Sequence, residues 1–173
     1  MKRFILLMLF ISFGGIAIGC SKSGEELNYA SLSKSEVEQF IEEKNIEPFA
    51  IEEAQDSTMV LYQSGIYYLS KNEDEIIVNK TVWGGNSKEK VQLGMTSTGS
   101  PHAYVIVQDK KLLNEAYKAT VKFSDGNATT RQFGSNKGLL MFYDKTKNNI
   151  TINNELELSI YDKEGKVIYE NNL

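Results

Sequence analysis

Cysteine, histidine, tryptophan and proline are almost missing from this 173-residue chain, which has one Cys, one His, one Trp and two Pro. A single cysteine excludes an intrachain disulfide, and also a zinc site built from four cysteines or from paired cysteines and histidines. A single histidine removes most His-based metal and catalytic arrangements, so no metal and no cofactor is expected. Arginine is scarce too, 2 residues against 17 lysines, and the basic residues form no block. With 19 basic and 23 acidic side chains, the formal charge is −4. Nucleic acid is not an expected partner, because a surface that tracks phosphates needs clustered Lys and Arg. What is present, 41% hydrophobic and 10% aromatic residues, suits one globular domain or two small ones packed together.

The first twenty residues have the pattern of an export signal. Lys2 and Arg3 make a short positive start, Phe4 to Phe13 is an almost unbroken apolar run, and Gly14 and Gly15 interrupt it. The run is short for a membrane-spanning helix, which needs about 20 apolar residues. It ends in Ala17-Ile18-Gly19-Cys20, with the small Gly19 directly before the only cysteine. This ending resembles the lipobox of bacterial lipoproteins, although Leu is commoner where Ala17 stands.

The resemblance implies cleavage between Gly19 and Cys20 and lipidation of the Cys20 thiol, with diacylglycerol- and palmitate-type chains. Two or three acyl chains, at about 0.8 kcal/mol per buried methylene, hold a domain on a membrane durably. It implies a cell membrane location, lipid-anchored on the extracytoplasmic face. An ordinary secretory signal or an uncleaved anchor is the plainer alternative. Removing residues 1–19 takes Lys2 and Arg3 with it, and the formal charge becomes −6. Such a domain is mildly repelled by an anionic leaflet and is expected to stand off it. The excess of Lys over Arg, with many Asn, is similar to small lipoproteins of a Gram-positive, Bacillus-like type.

Residues 20–32 are read as the lipidated cysteine followed by a flexible tether of Ser, Lys, Gly, Glu and Asn. Residues 33–89 are expected to hold a helix and a β-meander. Ser33 and Glu36 have capping-box spacing, Leu32 and Val37 stand where a hydrophobic staple closes, and Val37, Phe40 and Ile41 form one apolar face. Pro48 stops that helix. Short β-branched and aromatic runs follow at 59–62, 65–69 and 76–78, separated by polar breakers, which is a meander pattern.

Residues 90–173 carry the stronger β signal. Runs at 91–95, 102–108, 119–123, 139–143, 156–160 and 167–169 are spaced by turns, among them Ser124-Asp125-Gly126-Asn127. The expected fold class is therefore mainly β: an N-terminal amphipathic helix, a β-meander and a C-terminal immunoglobulin-like β-sandwich. The pattern leaves open whether residues 33–89 and 90–173 form one compact unit.

No catalytic constellation stands out. Ser97 or Ser100, His102 and Asp109 would be the members of a triad, yet Gly-x-Ser-x-Gly is not matched, because Met95 precedes Ser97 by two. The bland alternative is a loop leading into a strand with His102 at its edge. Glu52, Glu53 and Asp56, like Glu73, Asp74 and Glu75, lack the alternating spacing of a calcium loop and read as solvated turns and strand edges. Eight of the nine tyrosines fall mostly within the expected strands, where propensity accounts for them. Trp83-Gly84-Gly85-Asn86 is the most specific local feature. An exposed indole there would anchor a protein or a sugar ring, whereas a packed one would cap the core. Trp83, Gly84, Gly85 and His102 are the candidate binding residues. The expected function is a non-enzymatic binding module for an envelope protein or component. The alternative is an extracytoplasmic hydrolase or small-ligand sensor.

Overall fold

A computed structural model describes residues 28–84, 88–96, 100–143 and 155–171. The signal region, Cys20 and Gly85 lie outside the described residues. The chain is mainly β, with twelve strands and two helices among those residues. Helix α1 (Lys34–Lys44) begins where Ser33 caps it. The Ser33 hydroxyl accepts from the Glu36 amide, and the Glu36 carboxylate accepts the Ser33 N–H at 2.8 Å. It ends at Asn45, whose left-handed conformation (φ 50°) suits the short polar side chain of Asn.

Val37 and Phe40 of α1 pack with Leu32, Val60 and Leu69 in one apolar cluster. Each such burial contributes roughly 1.5–3 kcal/mol. The Phe40 ring meets Tyr67 edge-on at 5.2 Å, and Lys71 bonds Glu36 at 2.7 Å, fixing the helix on its sheet.

That first sheet comprises β1 (Tyr29–Ala30), β2 (Ala50–Ala54), β3 (Ser57–Tyr62), β4 (Gly65–Asn72) and β5 (Glu75–Val82). β3 lies between β2 and β4; β5 runs along the far side of β4, and β1 adds two residues beside Lys71 and Asn72. The expected tether is therefore too long at its C-terminal end. Tyr29 and Ala30 pair with β4, and Leu32 is 3% exposed, because a leucine beside an apolar helix face is worth more buried than solvated. The strand β2 is also not anticipated from the sequence. Its Ala-Ile-Glu-Glu-Ala run is too acidic to stand out, and pairing with β3 makes it a strand.

The second sheet has the order β10 (Gly138–Phe142), β7 (His102–Val107), β6 (Val91–Thr96). The third has the order β12 (Val167–Glu170), β11 (Leu156–Tyr161), β8 (Lys118–Phe123), β9 (Ala128–Gln132). All pairings within the three sheets are antiparallel.

Alternation along β7 and β10 decides how these layers stack. Ala103, Val105, Val107, Leu139 and Met141 join the third sheet's Ala119, Val121, Phe123, Leu158 and Ile160 in the largest core cluster. The intervening Ile106 and Leu140 face the first sheet's Ala50, Met59, Leu61 and Ile66. The second sheet is thus covered on both faces. A short helix α2 (Lys110–Glu115), capped by Asp109, covers one end of the large core with Leu112. With so few residues, α2 has no periodicity that distinguishes it in the sequence.

Candidate functional site

The indole of Trp83 follows β5 directly, held there by two backbone contacts. Its amide continues the β5 ladder by donating to Ser64 O at 2.9 Å, and its Nε1 donates to Gln63 O at 3.2 Å. The ring then stacks on Tyr104 of β7, with centroids 4.1 Å apart and planes within 3°. Trp83 is half-buried, so the stack joins the end of the first sheet to the second while part of the indole stays in contact with solvent.

Tyr104 can lie there because the residue opposite it on β6 is Gly94. A Cβ on Gly94 would fall within 2.6 Å of the Tyr104 ring carbons Cζ and Cε1, inside van der Waals contact. Absence of a side chain at Gly94 gives Tyr104 its position, and Tyr104 gives Trp83 its platform. Burial pushes the Tyr104 hydroxyl pKa up. Gly84, next along the chain, is exposed, and a Cβ placed on it would meet nothing within 4 Å. Close approach is therefore not the reason for that glycine.

His102 is elsewhere on the same face of β7, two residues before Tyr104, and it is fully buried. It is the first residue of the middle strand of the second sheet, between Thr96 of β6 and Phe142 of β10, where the segment Ser100-Pro101 leads into that strand. Its Nδ1 lies 2.8 Å from Ser100 O, and its ring sits 5.8 Å from Phe142 and 6.0 Å from Tyr68. Burial lowers the imidazole pKa, and the Ser100 carbonyl offsets part of that. Among the described residues, neither His102 Nε2 nor the Tyr68 hydroxyl has a hydrogen-bond partner, an expensive arrangement between two sheets. His102 and Trp83 thus share one face of β7 through Tyr104, but only Trp83 reaches solvent.

Two polar links that the sequence does not disclose complete the region between the sheets. Arg131 of β9 forks onto Glu52 of β2, with Nη1–Oε1 at 2.8 Å and Nη2–Oε2 at 3.0 Å; Nη1 also donates to Leu140 O. Tyr143, following β10, donates to Asp125 Oδ2 at 2.6 Å in the β8–β9 turn. That bond, with those from Asn127, holds the Asp125 carboxyl below its ordinary pKa. The only hint of the first link was the scarcity of arginine, since lysine serves everywhere else in the described chain. Nothing in the sequence pairs Tyr143 with Asp125.

Among the described residues, no group of three or more His, Cys, Asp or Glu side chains is gathered in a way that would hold a metal ion. No described helix is long and apolar enough to cross a membrane. Comparison of the chain with known protein families, with curated proteins and with solved structures returns no match.

Proposed function

We propose that this chain is a lipid-anchored extracytoplasmic lipoprotein whose domain is a non-enzymatic binding module for a protein or component of the cell envelope. The anchoring half of the proposal rests on Ala17-Ile18-Gly19-Cys20 after a charged start and a short apolar run. The binding half rests on one observation: a partly exposed indole immobilised on a tyrosine at the tip of a sheet. Trp offers a large contact area, and prior immobilisation removes most of the entropy cost of ordering it on a partner. Residues 90–172 are read as an immunoglobulin-like sandwich, with the three-stranded and four-stranded sheets as its two layers; rigid sandwiches commonly present binding loops at their ends.

A hydrolase or sensor reading finds less to build on. Its most specific residue, His102, is sealed between two sheets with Phe142 and Tyr68 around it. General base work needs an imidazole within hydrogen-bond reach of a substrate proton.

The test is in-cell photo-crosslinking from Gly84, where an added side chain meets no neighbour and the Trp83 stack is kept. Glu53, exposed on β2, carries the control probe. One dominant protein adduct from Gly84 and none from Glu53 is the expected result. A blank at both positions would remove the protein-partner reading. Loss of acyl labelling in a Cys20→Ala chain tests the anchor separately.

A further inference from the structure

We propose that β5 is the surface through which two copies of this chain associate, by antiparallel pairing of β5 with β5. β5 is one of the two longest strands in the described structure, and there it pairs with β4 alone. The two-residue turn Glu73–Asp74 and the Trp83 amide bond to Ser64 set the phase of its ladder. Odd-numbered residues bond inward to β4, so the amides and carbonyls of Ile76, Val78, Lys80 and Val82 point outward. The side chains of those same residues share the sheet face that carries Leu69, the cross-strand partner of Val78. Helix α1 covers β3 and β4 but not β5: Ile76 is 39%, Val78 43% and Val82 59% exposed. An extended, apolar, unpaired edge is a template for another strand.

The second copy is the occupant because the strand is complementary to itself. Its start is acidic, with exposed Glu73, Asp74 and Glu75, and its single cation, Lys80, stands toward the other end. Antiparallel apposition brings each acidic end beside the other copy's lysine. In the register with Ile77 on the two-fold axis, Ile76 lies opposite Val78, and Asp74, in the turn that opens the strand, is brought beside Lys80. Two ion pairs then flank a quartet of apolar side chains on one face. The outward-pointing amides are the ones this register joins, since 76 and 78 are both even. Sliding by two residues puts Val78 opposite itself but sets Lys80 against Ile76, losing both ion pairs. A lone lysine on an edge ordinarily blocks pairing; here it has an acidic counterpart at the antiparallel position.

One added strand pair is smaller than a standard interface of about 1,600 Å². The expected affinity is accordingly weak, with Kd on the order of 10–100 μM. This inference stands on β5 alone and does not depend on the function proposed above.

The experiment is sedimentation velocity of the full chain in mild detergent, from about 1 to about 500 μM, a range that brackets that affinity. The wild-type chain is expected to shift from monomer to dimer across the range. Val78→Lys should stay monomeric, while Ile51→Lys, an exposed charge on β2, should behave as wild type. Asp74→Lys should weaken association about tenfold, the equivalent of both ion pairs lost and like charges set in their place. Asp74→Lys combined with Lys80→Asp should restore it. Thermal unfolding of each variant shows that it is folded. A wild-type chain that remains monomeric throughout, or a folded Val78→Lys chain that dimerises equally well, overturns the proposal. Failure of the double exchange to restore association overturns the register.

Discussion

Arg131 and Glu52 meet as a two-pronged fork across the molecule, 79 residues apart in sequence, with guanidinium and carboxylate joined at 2.8 and 3.0 Å. Arg131 belongs to the third sheet and Glu52 to the first, while Leu140 O, which also accepts from Arg131, belongs to the second. One side chain therefore ties three layers, and the Phe142 ring lies 5.9 Å from its guanidinium. A lysine in its place keeps the charge but offers no planar fork. Arg131→Lys is expected to cost about 1–2 kcal/mol in urea unfolding, within the range for charged hydrogen bonds at partly exposed sites. Glu52→Gln should cost a similar amount, and the double variant less than the two together, since both remove one interaction. Additive costs would show that the fork contributes nothing as a pair.

The stack of Trp83 on Tyr104 depends on Gly94, and the dependence is testable by coupling. Gly94→Ala places a methyl group where the Tyr104 ring lies. The ring must move, and overpacking of this kind costs about 1–3 kcal/mol. Because Trp83 is the only tryptophan, its fluorescence reports the displacement directly, as a shift toward the red on fuller exposure. In a Tyr104→Ala background the same Gly94→Ala change should cost under about 0.5 kcal/mol, as at a site with room for it. Equal costs in both backgrounds would place the strain elsewhere.

His102 makes stability depend on pH near neutrality. Its folded pKa lies below the ordinary 6.5, so the unfolded chain binds the proton more readily. Stability conferred by the neutral imidazole is complete above 6.5 and is lost as pH falls below that value. The denaturation midpoint should decline from pH 7.5 to 5, a window above the range in which Glu36 and Asp125 titrate. His102→Asn retains a donor toward Ser100 O and has no proton to gain. Its midpoint is expected to be flat over the same window; a parallel decline would assign the effect to another group.

Glu36 governs the acidic limb. Lys71 first, then the Ser33 hydroxyl and amide, hold its carboxyl down to about 2, against 4.5 when unperturbed. A depressed carboxyl stabilises the fold above its unfolded value, and the contribution disappears as pH falls from about 4.5 toward 2. Glu36→Gln keeps a side chain able to serve the capping box but cannot ionise. Helix α1 in that variant should show a smaller change in helical circular dichroism between pH 5 and pH 2 than in the wild-type chain. An unchanged acid profile would show that Glu36 carries no weight in it.

Local chemistry was legible where neighbours in sequence decide the outcome. Ser33 and Glu36 are three residues apart, and a helix start needs nothing further than that pair and an apolar face. The β8–β9 turn at Ser124-Asp125-Gly126-Asn127 was equally readable, because only glycine easily takes the positive φ of 84° found at Gly126. Alternation in 119–123 and 156–160 announced strands with one face buried. The short β1 and the acidic β2 are not legible in the sequence, as neither has a pattern apart from the strands they pair with.

The candidate site was only half legible. Trp83 is conspicuous as the lone indole before two glycines, yet its platform, Tyr104, and the glycine that admits Tyr104, Gly94, lie 21 and 11 residues away. His102 stands out in the sequence as the only imidazole, and its neighbours Ser100 and Pro101 show only a loop leading into a strand. Packing of the first sheet's Tyr68 over that face of β7 makes it a core residue.

By itself the sequence determined the mainly β character, the helix at Lys34–Lys44, the turn chemistry and the want of disulfides, because each depends on contacts within a few residues or on composition. Tertiary structure alone decided which residues meet: Arg131 with Glu52, Tyr143 with Asp125, Trp83 with Tyr104 over Gly94. It also decided that β5, a strand as long as its neighbour β4, is left at an edge with its outer amides unpaired in the described structure. The physical reason is that periodicity tells a strand which face is apolar, while its place in a sheet depends on partners distant in the chain.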